Sequence, residues 1–190
     1  MSALTPIEAL EAEHRVIQKV VAGMVVLAEK IEGGEDLHVS LLENIVEFLR
    51  TFADRCHHGK EEALLFPALQ SRGVPAHGCP LGGLTMEHQK GRDMVSELAQ
   101  AIRTYAGNEP SARAALVKNL RDLATLYPNH IWKEEYLLFP LAVRVLTLED
   151  QQVLAEKFEA VEHELGHEVH ERFEKLASKL ELEVSKVNSR

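Results

Sequence analysis

His57-His58-Gly59-Lys60-Glu61-Glu62-Ala63-Leu64-Leu65-Phe66-Pro67 recurs as His130-Ile131-Trp132-Lys133-Glu134-Glu135-Tyr136-Leu137-Leu138-Phe139-Pro140, identical at 8 of 11 positions with an offset of 73 residues. Chance does not produce such a match. A second pair lies upstream of each copy, Glu13-His14 and Glu87-His88, offset by 74 residues. The chain therefore reads as a duplicated helix pair with a pseudo-two-fold axis through its core, one residue having been gained or lost between the copies.

Helix punctuation surrounds this text, and strand alternation does not. Thr5-Pro6-Ile7-Glu8 is a capping box with Pro at the first helical position, and Gly33-Gly34 closes the run, which predicts a helix over 6–32. A second periodic stretch begins near Asp36 and fades at Gln70-Ser71-Arg72-Gly73, with Pro67 expected to kink or close its last turns. Val74 to Gly83 is the longest loop signal. A third helix fits from 81 or 84 to 106, stopped by Gly107-Asn108, and a fourth runs from Pro110 to Leu146 with kinks expected at Pro128 and Pro140. Thr147-Leu148-Glu149-Asp150 caps a fifth, over 148–182. The expected fold is all-α: an up-down-up-down four-helix bundle over 5–145, with the C-terminal helix packed outside. Residues 1–184 make one domain, and 185–190 a frayed tail.

Composition narrows the function classes. In 190 residues, 21 Lys+Arg stand against 30 Asp+Glu, and the net charge of -9 repels phosphate backbones and anionic lipid, so nucleic acid and membranes are excluded as partners. Two cysteines, Cys56 and Cys79, form no Cys-x-x-Cys pair, and the N-terminus has no basic-then-apolar export pattern; the expected setting is reduced and cytoplasmic. Histidine is the odd figure, at 10. Neutral imidazole is the commonest metal ligand, so their positions matter.

Residues four apart on a helix share a face, which pairs His57 with Glu61 and His130 with Glu134. The stripe Leu49, Ala53, His57, Glu61, Leu64, Ala68 is otherwise apolar, and its repeat is Leu123, Leu126, His130, Glu134, Leu137, Leu141. His14 interrupts Ile7, Leu10, Ile17, Val21, and His88 interrupts Leu81, Leu84, Val95, Leu98. A lone histidine on such a face is usually a satisfied core residue. Four imidazoles and two carboxylates buried without partners are another matter, because an unpaired buried carboxylate costs several kcal/mol. Two metal ions sharing Glu61 and Glu134, each with two imidazoles, remove that cost. Nitrogen and oxygen donors without thiolate suit iron, with manganese or zinc as competitors.

At these residues the chain resembles the hemerythrin-like family, the HHE cation-binding domain, over about 5 to 145. The pattern is His14, His57-x-x-x-Glu61, His88, His130-x-x-x-Glu134, with the Lys-Glu-Glu-x-x-Leu-Phe-Pro text after both paired histidines. The resemblance implies a four-helix bundle around a non-heme di-iron centre, oxo- or hydroxo-bridged, that meets O2 and in some members NO or peroxide. Oxygen-carrying members have a fifth histidine one turn from the one matching His88. Here Leu84 and Arg92 stand there, and the chain resembles members with fewer histidines that sense, store or reduce.

Other residues compete for a role. Glu162 falls inside the helix-five stripe Phe158, Val161, Leu165, Val169, Leu176, Leu180, as an extra metal ligand, as a partner to a liganding imidazole, or as a boundary residue reaching water. His163-Glu164-Leu165-Gly166-His167 spells the zinc-protease signature His-Glu-x-x-His. His163, His167 and His170 lie 100–180° from that stripe, towards solvent, and no strand-rich cleft accompanies them. Tyr127 reads as a core tyrosine or a group near an open iron position, Cys56 as a small core residue, and Lys60 and Lys133 as surface cations. His58, Glu62 and Glu135 read as solvated or as partners of the ligands, and His38 and His77 have nothing to coordinate. The classes left open are a protein that binds or senses O2 or NO, a di-iron enzyme reducing peroxide or NO, and a metal store.

Overall fold

The computed structural model describes residues 4–106 and 111–188; the expected stop at Gly107-Asn108, the start at Pro110 and positions 189–190 lie outside the described residues. Among the described residues every element is helical: α1 (Pro6–Glu32), α2 (Val39–Phe48), a π-helical segment π1 (Leu49–His58), π2 (Glu61–Leu65), α3 (Phe66–Ser71), α4 (Leu81–Ala106), α5 (Ala112–Lys133), π3 (Glu134–Leu138), α6 (Phe139–Val145), α7 (Leu148–Leu165) and α8 (His167–Asn188). α1 packs against α5 and α8, and α4 against α5 and α2.

The caps work as the sequence suggests. Thr5 Oγ1 accepts from the Glu8 amide at 3.2 Å while Glu8 Oε2 accepts from the Thr5 amide at 2.8 Å, and Thr147 with Asp150 repeats the arrangement at the start of α7. The second helix begins at Val39 and not at Asp36. Asp36 is occupied elsewhere, accepting from Arg113, while Tyr105 Oη accepts from the Leu37 amide at 2.9 Å and holds the strand-like entry.

The π segments are the main departure from the helical wheel. In both copies a π turn, π2 or π3, immediately precedes the Phe-Pro pair. Proline has no amide hydrogen and its ring crowds the preceding turn, so the helix widens ahead of it and absorbs one extra residue. Every face beyond the turn moves by one position. Leu65, Leu69, Leu138 and Ala142 are fully buried, while the expected Leu64, Ala68 and Leu141 are only partly buried and Leu137 is exposed. Upstream of the turns the expected stripes of α1 and α4 are buried as read.

The fifth helix is broken. Gly166 adopts φ +89°, a left-handed conformation open to glycine at little cost, so α7 ends at Leu165 and α8 restarts at His167. The phase resets there, and Phe173, Ala177 and Leu180 become the buried residues of α8. Gly23 makes their docking possible, because a Cβ there would lie 2.6 Å from Leu180 Cβ. α8 continues to Asn188, through much of the expected frayed tail.

Two apolar clusters result. One gathers Ile17, Met24, Phe48, Leu98, Leu120 and Phe173; the other Ile7, Leu10, Leu65, Leu84, Leu138 and Phe158. The layer between them, bounded on α1 by Leu10 and Ile17, belongs to His14 and its partners. No helix is long and apolar enough to cross a membrane among the described residues.

Candidate metal centre

All six sequence-predicted donors converge in that layer. His14 (α1), His57 (π1), His88 (α4) and His130 (α5) are at most 4% exposed, and Glu61 (π2) and Glu134 (π3) are 0% exposed. His14 Nε2 and His57 Nε2 lie 3.0 Å apart, as do His88 Nε2 and His130 Nε2. Glu134 spans both pairs, with Oε2 3.1 Å from His14 and Oε1 3.0 Å from His130. Glu61 Oε2 lies 3.5 Å from His88 Nε2 and 3.8 Å from His57 Nε2. Two groups of four donors thus share both glutamates: His14, His57, Glu61, Glu134 and Glu61, His88, His130, Glu134.

A carboxylate fixes the orientation of each imidazole. His57 Nδ1 meets Glu13 at 2.9 Å, His130 Nδ1 meets Glu87 at 3.1 Å, His88 Nδ1 meets Glu62 at 2.7 Å, and His14 Nδ1 meets Glu135 at 3.1 Å. With Nδ1 donating outwards, Nε2 presents its lone pair to the centre, and such outer partners are what orient ligating histidines. The repeat therefore carries a second duplication inside the first: each His-x-x-x-Glu-Glu segment gives one glutamate to the centre and the next to the other copy's α1 or α4 histidine.

The carboxylates show what the centre lacks. Neither oxygen of Glu61 has a hydrogen-bond partner although both are buried. Burial and the neighbouring Glu134 charge push Glu61 well above the usual carboxylate range. Burial acts on Glu134 too, but the charge and hydrogen bond of His130 overcome it and hold Glu134 well below that range. A cation between the two carboxylates would give the Glu61 oxygens partners and offset the repulsion between Glu61 and Glu134, and four imidazole nitrogens with carboxylate oxygens fit a first-row divalent metal. Thiolate does not enter: Cys56 Sγ lies 3.7 Å from Glu13 Oε1, and burial with the Glu13 charge pushes the thiol up to about 12.

Several residues stand elsewhere than expected. Lys60, read as a surface cation, is 0% exposed; its Nζ donates to Glu13 Oε1 and Glu162 Oε1, each at 2.6 Å, and lies 5.4 Å from the Phe158 ring centre. Glu162 is accordingly placed on Lys60 and outside both donor groups, reaching His57 only through Lys60 and Glu13. Lys133 does sit partly exposed, donating to Glu87. His58 is buried, not solvated, with its ring centre 4.0 Å from that of His88 and the planes 14° apart. A metal–imidazole bond of about 2.1 Å lies in the ring plane, so two stacked rings cannot aim at one ion; His58 braces His88. Tyr127 is a buried tyrosine stacked beyond His58. His170, expected in solvent, lies edge-on against Phe52. In the protease-like motif, the break at Gly166 removes the continuous helical face that His163 and His167 need to act together.

A buried layer of cross-held imidazoles and shared carboxylates inside an all-helical chain defines a cation-binding helical protein. Residues 5–142 match the hemerythrin HHE cation binding domain, and the chain belongs to that family. It is similar to the uncharacterized proteins Rv1995 of Mycobacterium tuberculosis and Mb2018 of Mycobacterium bovis, each 23% identical over 160 residues. That alignment covers 84% of this chain and 62% of each relative, so the chain spans less than two thirds of their length.

Proposed function

We propose that this chain is a non-heme di-iron protein that binds two iron ions between Glu61 and Glu134, with His14 and His57 on one ion and His88 and His130 on the other, and that it meets O2, NO or peroxide. The observation that carries the reading is Glu61, whose two buried oxygens have no partner and face imidazoles of both pairs. Manganese or zinc are the substitutes such donors accept. Iron held by these residues would supply redox chemistry toward a small ligand. The chain's own part is to hold four Nε2 lone pairs inwards through Glu13, Glu62, Glu87 and Glu135 and to keep bulk water out with two apolar clusters. The up-down-up-down course of the four long segments, and a reduced cytoplasmic setting, belong to the same reading.

A redox enzyme reducing peroxide or NO is the second reading, favoured by Leu84 and Arg92 standing one turn either side of His88, where the resemblance to oxygen-carrying members would call for a further histidine. The iron-loaded protein, titrated in turn with O2, NO and hydrogen peroxide under its absorption spectrum, separates the two. A spectrum that changes once and reverses on ligand removal supports binding or sensing; sustained loss of peroxide or NO with an unchanged final spectrum supports the enzyme. No spectral response to any of the three contradicts both.

A further inference from the structure

We propose that Glu162, on α7 outside the bundle, is a positioning residue for the ion at His14 and His57: acting through buried Lys60 and Glu13, it sets how strongly His57 donates to the metal. The inference rests on the two-ion reading and names what tunes one of its ligands.

Four side chains make one hydrogen-bonded line from the surface to the centre. Lys60 Nζ donates to Glu162 Oε1 at 2.6 Å and to Glu13 Oε1 at 2.6 Å, and the other oxygen of Glu13, Oε2, meets His57 Nδ1 at 2.9 Å. Only the outer end meets water, because the Glu162 side chain is 43% exposed while those of Lys60, Glu13 and His57 are buried. Phe158, one turn before Glu162 on α7, has its ring centre 5.4 Å from Nζ and shields the ammonium. α7 itself buries only Leu154 and Phe158 among its described residues, and Arg72 holds its other end through Asp150 at 2.7 Å. Ion pairs at both ends therefore fix where Glu162 stands.

A carboxylate on the outer nitrogen raises the basicity of a ligating imidazole, so whatever competes for that carboxylate weakens the ligand. Lys60 is such a competitor, a cation on the second oxygen of Glu13 and away from water, where charges act strongly on one another. Glu162 counters it: the second carboxylate offsets the ammonium charge and takes one of its protons in a hydrogen bond, which leaves Glu13 the more negative toward His57. In the second copy the matching line runs from His130 through Glu87 to Lys133, whose side chain is 42% exposed. Water screens that lysine and does for it what Glu162 does for Lys60. A lysine buried only to dock α7 has no need to share its carboxylate with a ligating histidine; Lys60 shares Glu13 with His57.

Two measurements decide the matter. In the metal-free protein, isotope-labelled at histidine, the Nδ1–H proton resonance of His57 should move upfield in Glu162→Gln as its hydrogen bond to Glu13 weakens, with that of His130 in place. Glu162→Asp, which keeps the charge but draws it back, should move it less in the same direction, and carries the test if the Gln variant does not fold. No shift at His57, or equal shifts at His57 and His130, overturns the proposal. Zinc titration in competition with a chromophoric chelator gives the second reading: Glu162→Gln should weaken one of the two zinc ions about tenfold and leave the other unchanged. Unfolding at lower denaturant with both affinities intact shows Glu162 to hold α7 and nothing more, and overturns the proposal, as does equal weakening of both ions. Wild type that binds fewer than two zinc ions sinks the two-ion reading, while the His57 resonance still decides whether Glu162 acts on that ring.

Discussion

The two copies of the duplicated text carry the same Lys-Glu-Glu run, yet their lysines live in different worlds. Lys60 is 0% exposed between two carboxylates under α7, whereas Lys133 is 42% exposed with Glu87 as its carboxylate. Identical local sequence has been given different physics by what lies over it. α7 and α8 cover the first copy, and a cation taken out of water there holds two carboxylates close. On the second copy the same pair is close to solvent and is worth little. The lesson is that a repeat predicts geometry better than it predicts energetics.

Substitutions can sharpen or break this comparison. The largest effect is expected at the shared carboxylates: Glu61→Ala and Glu134→Ala each remove donors from both pairs and should drop bound metal from two ions per chain to below one, as read by elemental analysis. Lys60→Met removes the cation from its buried pair with Glu13, leaving Glu13 to His57 and Cys56, and should destabilise the chain by about 3–5 kcal/mol in denaturant unfolding. The matching Lys133→Met should cost less than about 1 kcal/mol, and equal losses would dissolve the distinction between the copies. Gly166→Ala, which forces a side chain into a left-handed position, should cost about 1–2 kcal/mol and be read as an earlier transition.

Acid offers a gentler probe. Burial raises the Glu13 carboxyl, but the hydrogen bond and charge of His57 and the charge of Lys60 outweigh it and lower the group to about 2. A carboxyl with a depressed folded pKa stabilises the fold fully above its unfolded value of about 4.3. That contribution is lost as pH falls from there through 2. Metal-free wild type should therefore lose stability between pH 5 and 2 more steeply than Glu13→Gln, and parallel curves would show that Glu13 does not act this way.

Much of the fold was readable because its signals are local. Thr5, Pro6 and Glu8 start α1 by chemistry that needs no tertiary partner, and the repeat places His14, His57, Glu61, His88, His130 and Glu134 on apolar stripes that turn them inwards. The helical wheel failed where the backbone left 3.6 residues per turn: beyond Glu61 and Glu134 the π turns shift the buried face by one, so Leu65 replaces Leu64 and Leu138 replaces Leu137. The Phe-Pro pair after both glutamates was the available signal. Gly166 was in view as well, but its left-handed break depends on α8 docking through Gly23 and Leu180, a contact between residues far apart in sequence. Lys60 was misread for the same reason, since nothing near it in the chain announces Glu162. The four outer carboxylates could be found from the duplication: Glu13 and Glu87 each precede a histidine donor, and Glu62 and Glu135 each follow a glutamate donor.

The central claim is that two ions share Glu61 and Glu134. Crystals of the iron-loaded protein, measured on both sides of the iron absorption edge, test it most directly. The account predicts two anomalous peaks about 3.5–4 Å apart, one beside His14 and His57 and the other beside His88 and His130. A single peak, or iron bound only at the His163 surface with the buried layer empty, would contradict it.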